Sequence, residues 1–239
     1  MTQVLNKLIL LAFCCLTLTS FAKGYLIEAT ISGAENRKVY LQEVAYSKKK
    51  VDSTIVKQGK FVFKGKVSEV QQWEIVVAGA AKSLRLLADN EKITIDGKYS
   101  TWEKATIQNA KWQQEWEKFQ QQCTPFFAKS TFYMEKLGKY EGKDTVLFKK
   151  YSDSLNYVES LRLKYVENFV LKHPKEFTSL YALVNNYFYF SAEKNRKLIQ
   201  SLSPKLQKHS FVGVLLDEIS FMNQVEIGAV APIFSQKDT

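Results

Sequence analysis

The sequence has 239 residues, of which 46% are hydrophobic and 24% are charged, and this composition excludes an intrinsically disordered chain. With only 4 prolines and 10 glycines, it contains no flexible linker or low-complexity tract. The formal net charge of +10 would suit a nucleic acid or an anionic surface. However, the lysines are dispersed, and the one tight run, SKKKVD, falls in a predicted loop. We therefore interpret the charge as solvated surface and expect no nucleic-acid partner.

The first 22 residues have the pattern of a secretory signal peptide. Lys7 precedes the apolar stretch LILLAFCCLTLT, and Ser20 and Ala22 occupy the small-residue positions before a cleavage site. This apolar stretch is shorter than the roughly 20 residues that span a bilayer. Residues 1–22 therefore predict export to the periplasm or cell envelope, with no transmembrane helix after cleavage.

A lipoprotein is the alternative interpretation of the same segment. It would use Cys14 or Cys15 as the acylated residue, but Phe13 stands before Cys14 where a small residue is needed. Anchoring through a lipid is therefore the less favoured prediction.

Residues 23–108 show the short, alternating pattern of β-strands. The segments YLIEATISG and RKVYLQEVA alternate apolar and polar residues, and EKITIDG places Ile93 and Ile95 on one face. The segment VDSTIVKQGKFVFKGKV predicts two strands that form a hairpin around Gln58–Gly59, with Phe61 and Phe63 on one face. Seven or eight such strands in about 85 residues predict an antiparallel β-sandwich or open barrel.

Residues 109–224 change to the spacing of amphipathic helices. Trp112, Trp116 and Phe119 recur at i, i+4 and i+7, and Asn109 is the expected N-cap of their helix. The aromatic segment YALVNNYFYF is interpreted as helix packing rather than as the wall of a ligand pocket. The fold class is therefore predicted as α+β, with a β-rich module followed by an all-helical module.

Two prolines and an aspartate divide this helical module. Pro125 predicts an interruption of the first helix. Asp144 predicts the N-cap of the longest helix, which should end before Pro174. Three shorter helices are expected to follow, in EFTSLYALVNNYFYF, SAEKNRKLIQSL and SFVGVLLDEISFMNQ.

No complete set of catalytic or metal-ligating residues stands out in the sequence. Cleavage of the signal peptide would leave Cys123 as the one cysteine, which we interpret as a partly buried residue at a helix end. His173 and His209 have no second ligand at metal-binding spacing. The sequence also contains no nucleophile elbow and no phosphate-binding loop. We therefore predict that the chain is not an enzyme and holds no cofactor or metal.

The order of the motifs nevertheless resembles a known family. The most specific part is DSTIVKQGKFVFKGKV, which resembles the pattern D-S-x-x-V-x-x-G-x-F-x-F-x-G-x-V of a DUF4369-type domain. Its matching residues are Asp52, Ser53, Val56, Gly59, Phe61, Phe63, Gly65 and Val67. A second match, G-x-x-A-P-x-F, resembles the opening strand of thioredoxin-like and peroxiredoxin-like domains. It comprises Gly228, Ala231, Pro232 and Phe234.

Together these motifs resemble the N-terminal region of Bacteroidetes envelope thiol:disulfide oxidoreductases related to TlpA and ResA. In that family a DUF4369-type domain and a helical segment precede a thioredoxin-like domain with a Trp-Cys-x-x-Cys motif. The resemblance implies that residues 225–239 are a truncated opening strand and that the redox cysteines lie beyond Thr239. No catalytic residue is therefore carried over to this sequence.

Two functions follow as expectations. The first is a non-catalytic accessory or interaction module of an exported thioredoxin-like oxidoreductase, with envelope redox proteins as partners. The alternative is a stand-alone envelope protein that binds a glycan, a lipid or another small molecule. The sequence leaves the oligomeric state open.

Overall fold

The computed structural model describes residues 24–44 and 50–224, with side chains described up to residue 222. The predicted signal peptide and the C-terminal segment 225–239 lie outside the described residues. The chain divides into two compact units, with the boundary between Lys111 and Trp112. In the described part of the chain, no helix is both long and apolar enough to cross a membrane.

The first unit is built from two four-stranded β-sheets. Its strands are β1 (Tyr25–Ser32), β2 (Lys38–Glu43), β3 (Lys50–Ile55), β4 (Lys60–Gly65), β5 (Gln71–Val77), β6 (Leu84–Ala88), β7 (Lys92–Lys98) and β8 (Thr106–Gln108). The sheets have the strand orders β4-β1-β7-β8 and β3-β2-β5-β6. With the helices of the second unit, they confirm the predicted α+β arrangement with an open sandwich.

One strand pair differs from the predicted antiparallel pattern. β1 and β7 run parallel, with Ile27 opposite Ile93 and Ala29 opposite Ile95, whereas the other pairs among the described strands are antiparallel. Parallel neighbours need a long connection. Here all four strands of the second sheet lie between β1 and β7 in the sequence, and this long segment provides the connection.

The predicted hairpin at Gln58–Gly59 is correct as a turn but wrong as a strand pair. Both residues have positive φ, 52° and 68°, as a tight turn requires. However, β3 pairs with β2 in one sheet, whereas β4 pairs with β1 in the other. Only an isolated bridge between Lys57 and Lys60 closes the turn, so the chain uses it to cross between sheets.

The core of the first unit lies between the two sheets. Alternate residues of β1, β4 and β7 are buried, as the two-residue period of a strand requires. Phe61, Phe63, Ile93 and Ile95 are all in this core, which confirms the faces predicted for them. A 3-10 helix, Tyr99–Lys104, adds the fully buried Trp102.

The second unit is helical. Its helices are α1 (Lys111–Tyr140), α2 (Thr145–Lys172), α3 (Phe177–Val184), α4 (Ala192–Ser201), α5 (Pro204–Gln207) and α6 (Ser210–Gln224), and a 3-10 turn spans Tyr187–Tyr189. Asp144 caps α2 as predicted, since its Oδ1 accepts hydrogen bonds from the backbone N–H groups of Val146 and Leu147 at 3.0 and 2.9 Å.

Two predictions about α1 are wrong. Pro125 does not interrupt the helix but lies inside it. Residues on both sides of the proline, Phe119 and Ser130, are buried, so tertiary packing outweighs the local penalty of the missing N–H. Asn109 is not the N-cap, because it has a left-handed φ of 60° and the helix begins two residues later, at Lys111.

Candidate functional site

The most distinctive side chain of the helical unit is Arg162, which lies in the buried stripe of α2. Val158, Val166 and Val170 are the other buried residues of that helix, at steps of four. Because this stripe faces the interior of the unit, it carries the arginine inward, and its side chain is only 6% exposed. A buried charge is costly unless it is paired and hydrogen-bonded, so its partners define the site.

Arg162 is held by Glu159 of its own helix and by Asn186, which follows α3. Its Nε donates to Oε2 of Glu159 at 2.8 Å, and its Nη1 donates to Oδ1 of Asn186 at 2.5 Å. Ser130 on α1 donates its hydroxyl to the other oxygen of Glu159 at 2.5 Å. Asn186 is itself fixed, because its Nδ2 donates to the carbonyl oxygen of Ala182 at 2.7 Å. The network therefore ties α1 and the segment after α3 to α2.

The charge state of Glu159 follows from these contacts. Partial burial acts to raise the pKa of its carboxyl group, but the hydrogen bonds from Ser130 and Arg162 and the charge of Arg162 outweigh burial. The pKa of Glu159 therefore lies below its ordinary value. Near neutral pH the pair is a carboxylate and a guanidinium, with no net charge.

A cleft of about 250 Å³ opens beside the guanidinium. Its apolar walls include Trp116, Phe119, Phe127 and Tyr189. The Cζ atom of Arg162 lies 5.6 Å from the ring centroid of Phe127 and 5.1 Å from that of Tyr189. Both distances are within the range of cation–π attraction. The cleft thus combines aromatic walls with one oriented cation.

Cys123 also lines this cleft. It lies in the interior of α1 rather than at a helix end, and it is only 3% exposed. Burial raises the pKa of its thiol, and the nearby charge of Arg162 opposes that rise without cancelling it. The thiol is therefore kept protonated, which is the unreactive form.

The segment YALVNNYFYF is only partly the packing element that was predicted. Tyr181 and Leu183 are buried, but Phe188 and Tyr189 are 73% and 60% exposed. The helix ends at Val184, and the second half of the segment contains a 3-10 turn instead. Its side chains therefore no longer lie along the buried stripe of a helix. Tyr189 instead forms a wall of the cleft.

The family-motif residues of the first unit serve the fold rather than one common site. Phe61 and Phe63 are core residues, and Asp52 and Ser53 lie on the edge strand β3. Ser53 lines a separate surface groove of about 430 Å³.

The glycines of that motif have structural reasons. Gly59 has a positive φ, and its N–H donates to Oε2 of Glu35 at 2.9 Å. A Cβ at Gly65 would lie 2.4 Å from the hydroxyl oxygen of Tyr25. The second motif, Gly228, Ala231, Pro232 and Phe234, lies outside the described residues.

The two histidines are placed by packing and local hydrogen bonds. His173 stacks on Phe169 with ring centroids 4.6 Å apart, and its Nδ1 lies 2.9 Å from Oε1 of Glu176. His209 is buried, and its ring packs against Phe211 at 4.8 Å. Within residues 24–44 and 50–224, no group of three or more His, Cys, Asp or Glu is arranged to hold a metal ion.

Comparison with known proteins identifies one domain. Residues 25–116 match the family described as "Domain of unknown function (DUF4369)", and this range covers the strands of the first unit and the start of α1. Neither a curated protein nor a solved structure matches the chain.

Proposed function

Taking the DUF4369 domain at residues 25–116 as the premise, we propose that this chain is a non-catalytic accessory module of an exported thioredoxin-like thiol:disulfide oxidoreductase. The family match carries the proposal, because it supports the first part of the motif order that resembles those envelope proteins. In this role the chain positions the redox domain or engages its partners outside the cytoplasm.

The environment of Cys123 supports a role without redox chemistry. A thiol–disulfide nucleophile must be accessible and must ionise easily. Cys123 has the opposite properties, since it is buried and its pKa is raised by that burial. Any disulfide chemistry of the assembly therefore belongs to another polypeptide segment.

Exposed apolar side chains on the helical unit support an interaction role. Phe132 and Met134 on α1 are 49% and 54% exposed, and Tyr157 on α2 is 64% exposed. An apolar surface in contact with water is typical of a site that binds another protein, and the proposal takes these three side chains as part of such a surface. A thioredoxin-like domain or an envelope redox protein is the partner that the proposal assigns to them.

An insulin-reduction assay tests the non-catalytic part. We expect the purified chain with dithiothreitol to match the dithiothreitol blank, while a thioredoxin added as a positive control accelerates precipitation. Robust turnover by the chain that is lost in Cys123→Ser would contradict the proposal.

Site-specific photo-crosslinking tests the interaction part. A benzophenone amino acid replaces Phe132, and the matched control replaces Lys118, an exposed polar residue of the same helix. We expect position 132, and not position 118, to crosslink in cells to a protein that carries a Cys-x-x-Cys motif. Equal crosslinking at both positions, or crosslinks only to proteins without that motif, would contradict it.

Reading the coding DNA downstream of the Thr239 codon tests the proposed parent. A Trp-Cys-x-x-Cys sequence within a few tens of codons, in any frame, would support a thioredoxin-like domain in the same gene. Unrelated sequence there would exclude a thioredoxin-like domain in the same gene. The redox protein would then have to be a separate chain, which the crosslinking experiment tests.

A second candidate function is small-molecule binding, and the cleft beside Arg162 is the observation that favours it. A thermal-shift panel of glycans, lipids and small organic acids tests this role, because a ligand that binds only the folded chain raises its stability. No shift across the panel would count against binding.

A further inference from the structure

The guanidinium of Arg162 offers more hydrogen-bond donors than its protein partners use. An arginine side chain has five N–H donors in a planar fork. Glu159 takes the one on Nε and Asn186 takes one on Nη1. Among the residues that the structure describes, Nη2 has no acceptor. One N–H on Nη1 and both N–H groups on Nη2 therefore remain for a ligand, which can approach along the edge that these two atoms form.

That open edge has the geometry that recognises a carboxylate. Two parallel N–H groups of a guanidinium match the two oxygens of a carboxylate, and the resulting pair is both stronger and more directional than a single hydrogen bond. Because Glu159 already occupies the Nε side and Asn186 fixes Nη1, the guanidinium cannot swing freely. The donor edge is preorganised, which lowers the cost of binding.

The charges around the cleft favour a ligand with a single negative charge. Within the described part of the chain, Arg162 is the one charged residue that lines the cleft. Glu159 pairs with its Nε atom and already compensates its charge. A monoanion gains the directed hydrogen bonds with little repulsion, whereas a dianion would place its second charge close to the Glu159 carboxylate.

The remaining lining limits the size and polarity of the ligand. Trp116, Phe119 and Phe127 form apolar walls, and Tyr189 closes one side near the guanidinium. A volume of about 250 Å³ is below the range of roughly 300–1,000 Å³ that holds drug-sized ligands. The space suits one aromatic ring or a short alkyl chain.

We propose that this cleft binds a small organic monocarboxylate, with its carboxylate on the Nη1–Nη2 edge of Arg162 and its apolar body between the aromatic walls. The proposal rests on the second candidate function, small-molecule binding, and is independent of the accessory role in a redox protein.

Isothermal titration of the full chain with three matched probes tests the ligand class. Phenylacetate has the proposed features, phenylacetamide has the same shape without the charge, and phenyl phosphate carries up to two charges. We expect saturable binding of phenylacetate. Binding should be at least about tenfold weaker for phenylacetamide, which lacks the charged acceptor, and for phenyl phosphate, whose second charge is repelled by the Glu159 carboxylate.

A charge placed at the rim tests the location without disturbing the network. Gln120 is exposed and lines the cleft, so Gln120→Glu brings a negative charge to it. The control is Gln121→Glu, a neighbour on α1 that is also exposed but is not part of the lining. We expect Gln120→Glu to weaken phenylacetate binding about fivefold and Gln121→Glu to change it less than twofold.

The outcomes separate this proposal from the function on which it rests. If phenylacetamide binds as tightly as phenylacetate, carboxylate recognition is wrong while small-molecule binding stands. Tighter binding of phenyl phosphate would overturn the preference for a monoanion. Equal effects of the two glutamate variants would place the site elsewhere. If no probe binds and the broad thermal-shift panel is also silent, the binding function itself fails.

Discussion

Trp102 donates its indole Nε1–H to the backbone carbonyl oxygen of Ile75 at 3.1 Å, and this hydrogen bond joins the 3-10 helix of the first unit to strand β5. Trp102 lies in the 3-10 helix that follows β7. Strand β7 belongs to one sheet, whereas Ile75 is a residue of β5 in the other sheet. Trp73, also fully buried, has no hydrogen-bond partner for its Nε1 among the described residues. The unit therefore contains two buried tryptophans that differ in this one interaction.

This pair gives a matched prediction. Trp102→Phe and Trp73→Phe remove the same apolar atoms, but only the first breaks a hydrogen bond and leaves the Ile75 carbonyl without it. We expect Trp102→Phe to lower the free energy of unfolding by about 1–2 kcal/mol more than Trp73→Phe does. Urea denaturation monitored by circular dichroism measures both. Equal losses would mean that this hydrogen bond does not stabilise the sandwich.

Gly65 gives a second prediction, on a residue of the family motif. A Cβ there would lie 2.4–2.7 Å from atoms of the Tyr25 side chain. That ring is buried and packs against Trp73 at 5.4 Å, so it has little room to move. We expect Gly65→Ala to destabilise the chain by about 1–3 kcal/mol.

A glycine of α1 provides the control for Gly65. A Cβ at Gly138 would meet nothing within 4 Å, so Gly138→Ala should stabilise its helix by about 0.5–1 kcal/mol. Thermal unfolding compares the two variants. A Gly65→Ala variant that is as stable as the parent would show that the Tyr25 ring moves aside at no cost.

The same motif shows what a sequence pattern determines and what it does not. The alternation of Phe61 and Phe63 fixes the face of β4, because successive side chains of a strand point to opposite sides. The separation of β3 and β4 into different sheets depends on their partners β2 and β1, which are distant in the sequence. Local turn chemistry carries no information about that choice.

The sequence does not predict the cleft, for a related reason. A charged residue in a helix normally indicates a solvent-exposed position, so the residue type of Arg162 does not predict its burial. The signal was its position, since it replaces an apolar residue in the run Val158, Val166 and Val170, at steps of four. Its partner Asn186 follows the end of α3 and could be brought to it only by the tertiary fold.

Glu159 gives a prediction of pH dependence. Its pKa is lower in the folded chain than the ordinary value of 4.5, so ionisation of Glu159 stabilises the fold above that pH. This contribution disappears as the pH falls below 4.5 and through the lowered pKa. Because the side chain is 34% exposed, solvent screening keeps the contribution to about 1 kcal/mol or less.

Melting temperatures from pH 7 to about pH 3 test this dependence. We expect Glu159→Gln to be less stable than the parent at pH 7, with a difference that shrinks in acid. Glu135→Gln, an exposed acid of α1 outside the network, controls for simple loss of a charge. A difference between Glu159→Gln and the parent that stays constant over this range would contradict the assigned linkage.

Cys123 gives the last prediction, because its burial controls its chemistry. In a chain that begins after the predicted signal peptide, it is the one thiol, and in the fold it is only 3% exposed. Burial also raises its pKa, so the reactive thiolate is scarce near neutral pH. We expect its reaction with Ellman's reagent to be at least about 100-fold slower in the folded chain than in guanidinium chloride.

Gln121→Cys on a Cys123→Ser background supplies an exposed thiol on the same helix, which should react at the rate of the unfolded chain. If Cys123 in the folded chain reacts as fast as that control, the thiol is accessible, and the non-catalytic assignment loses its main structural support.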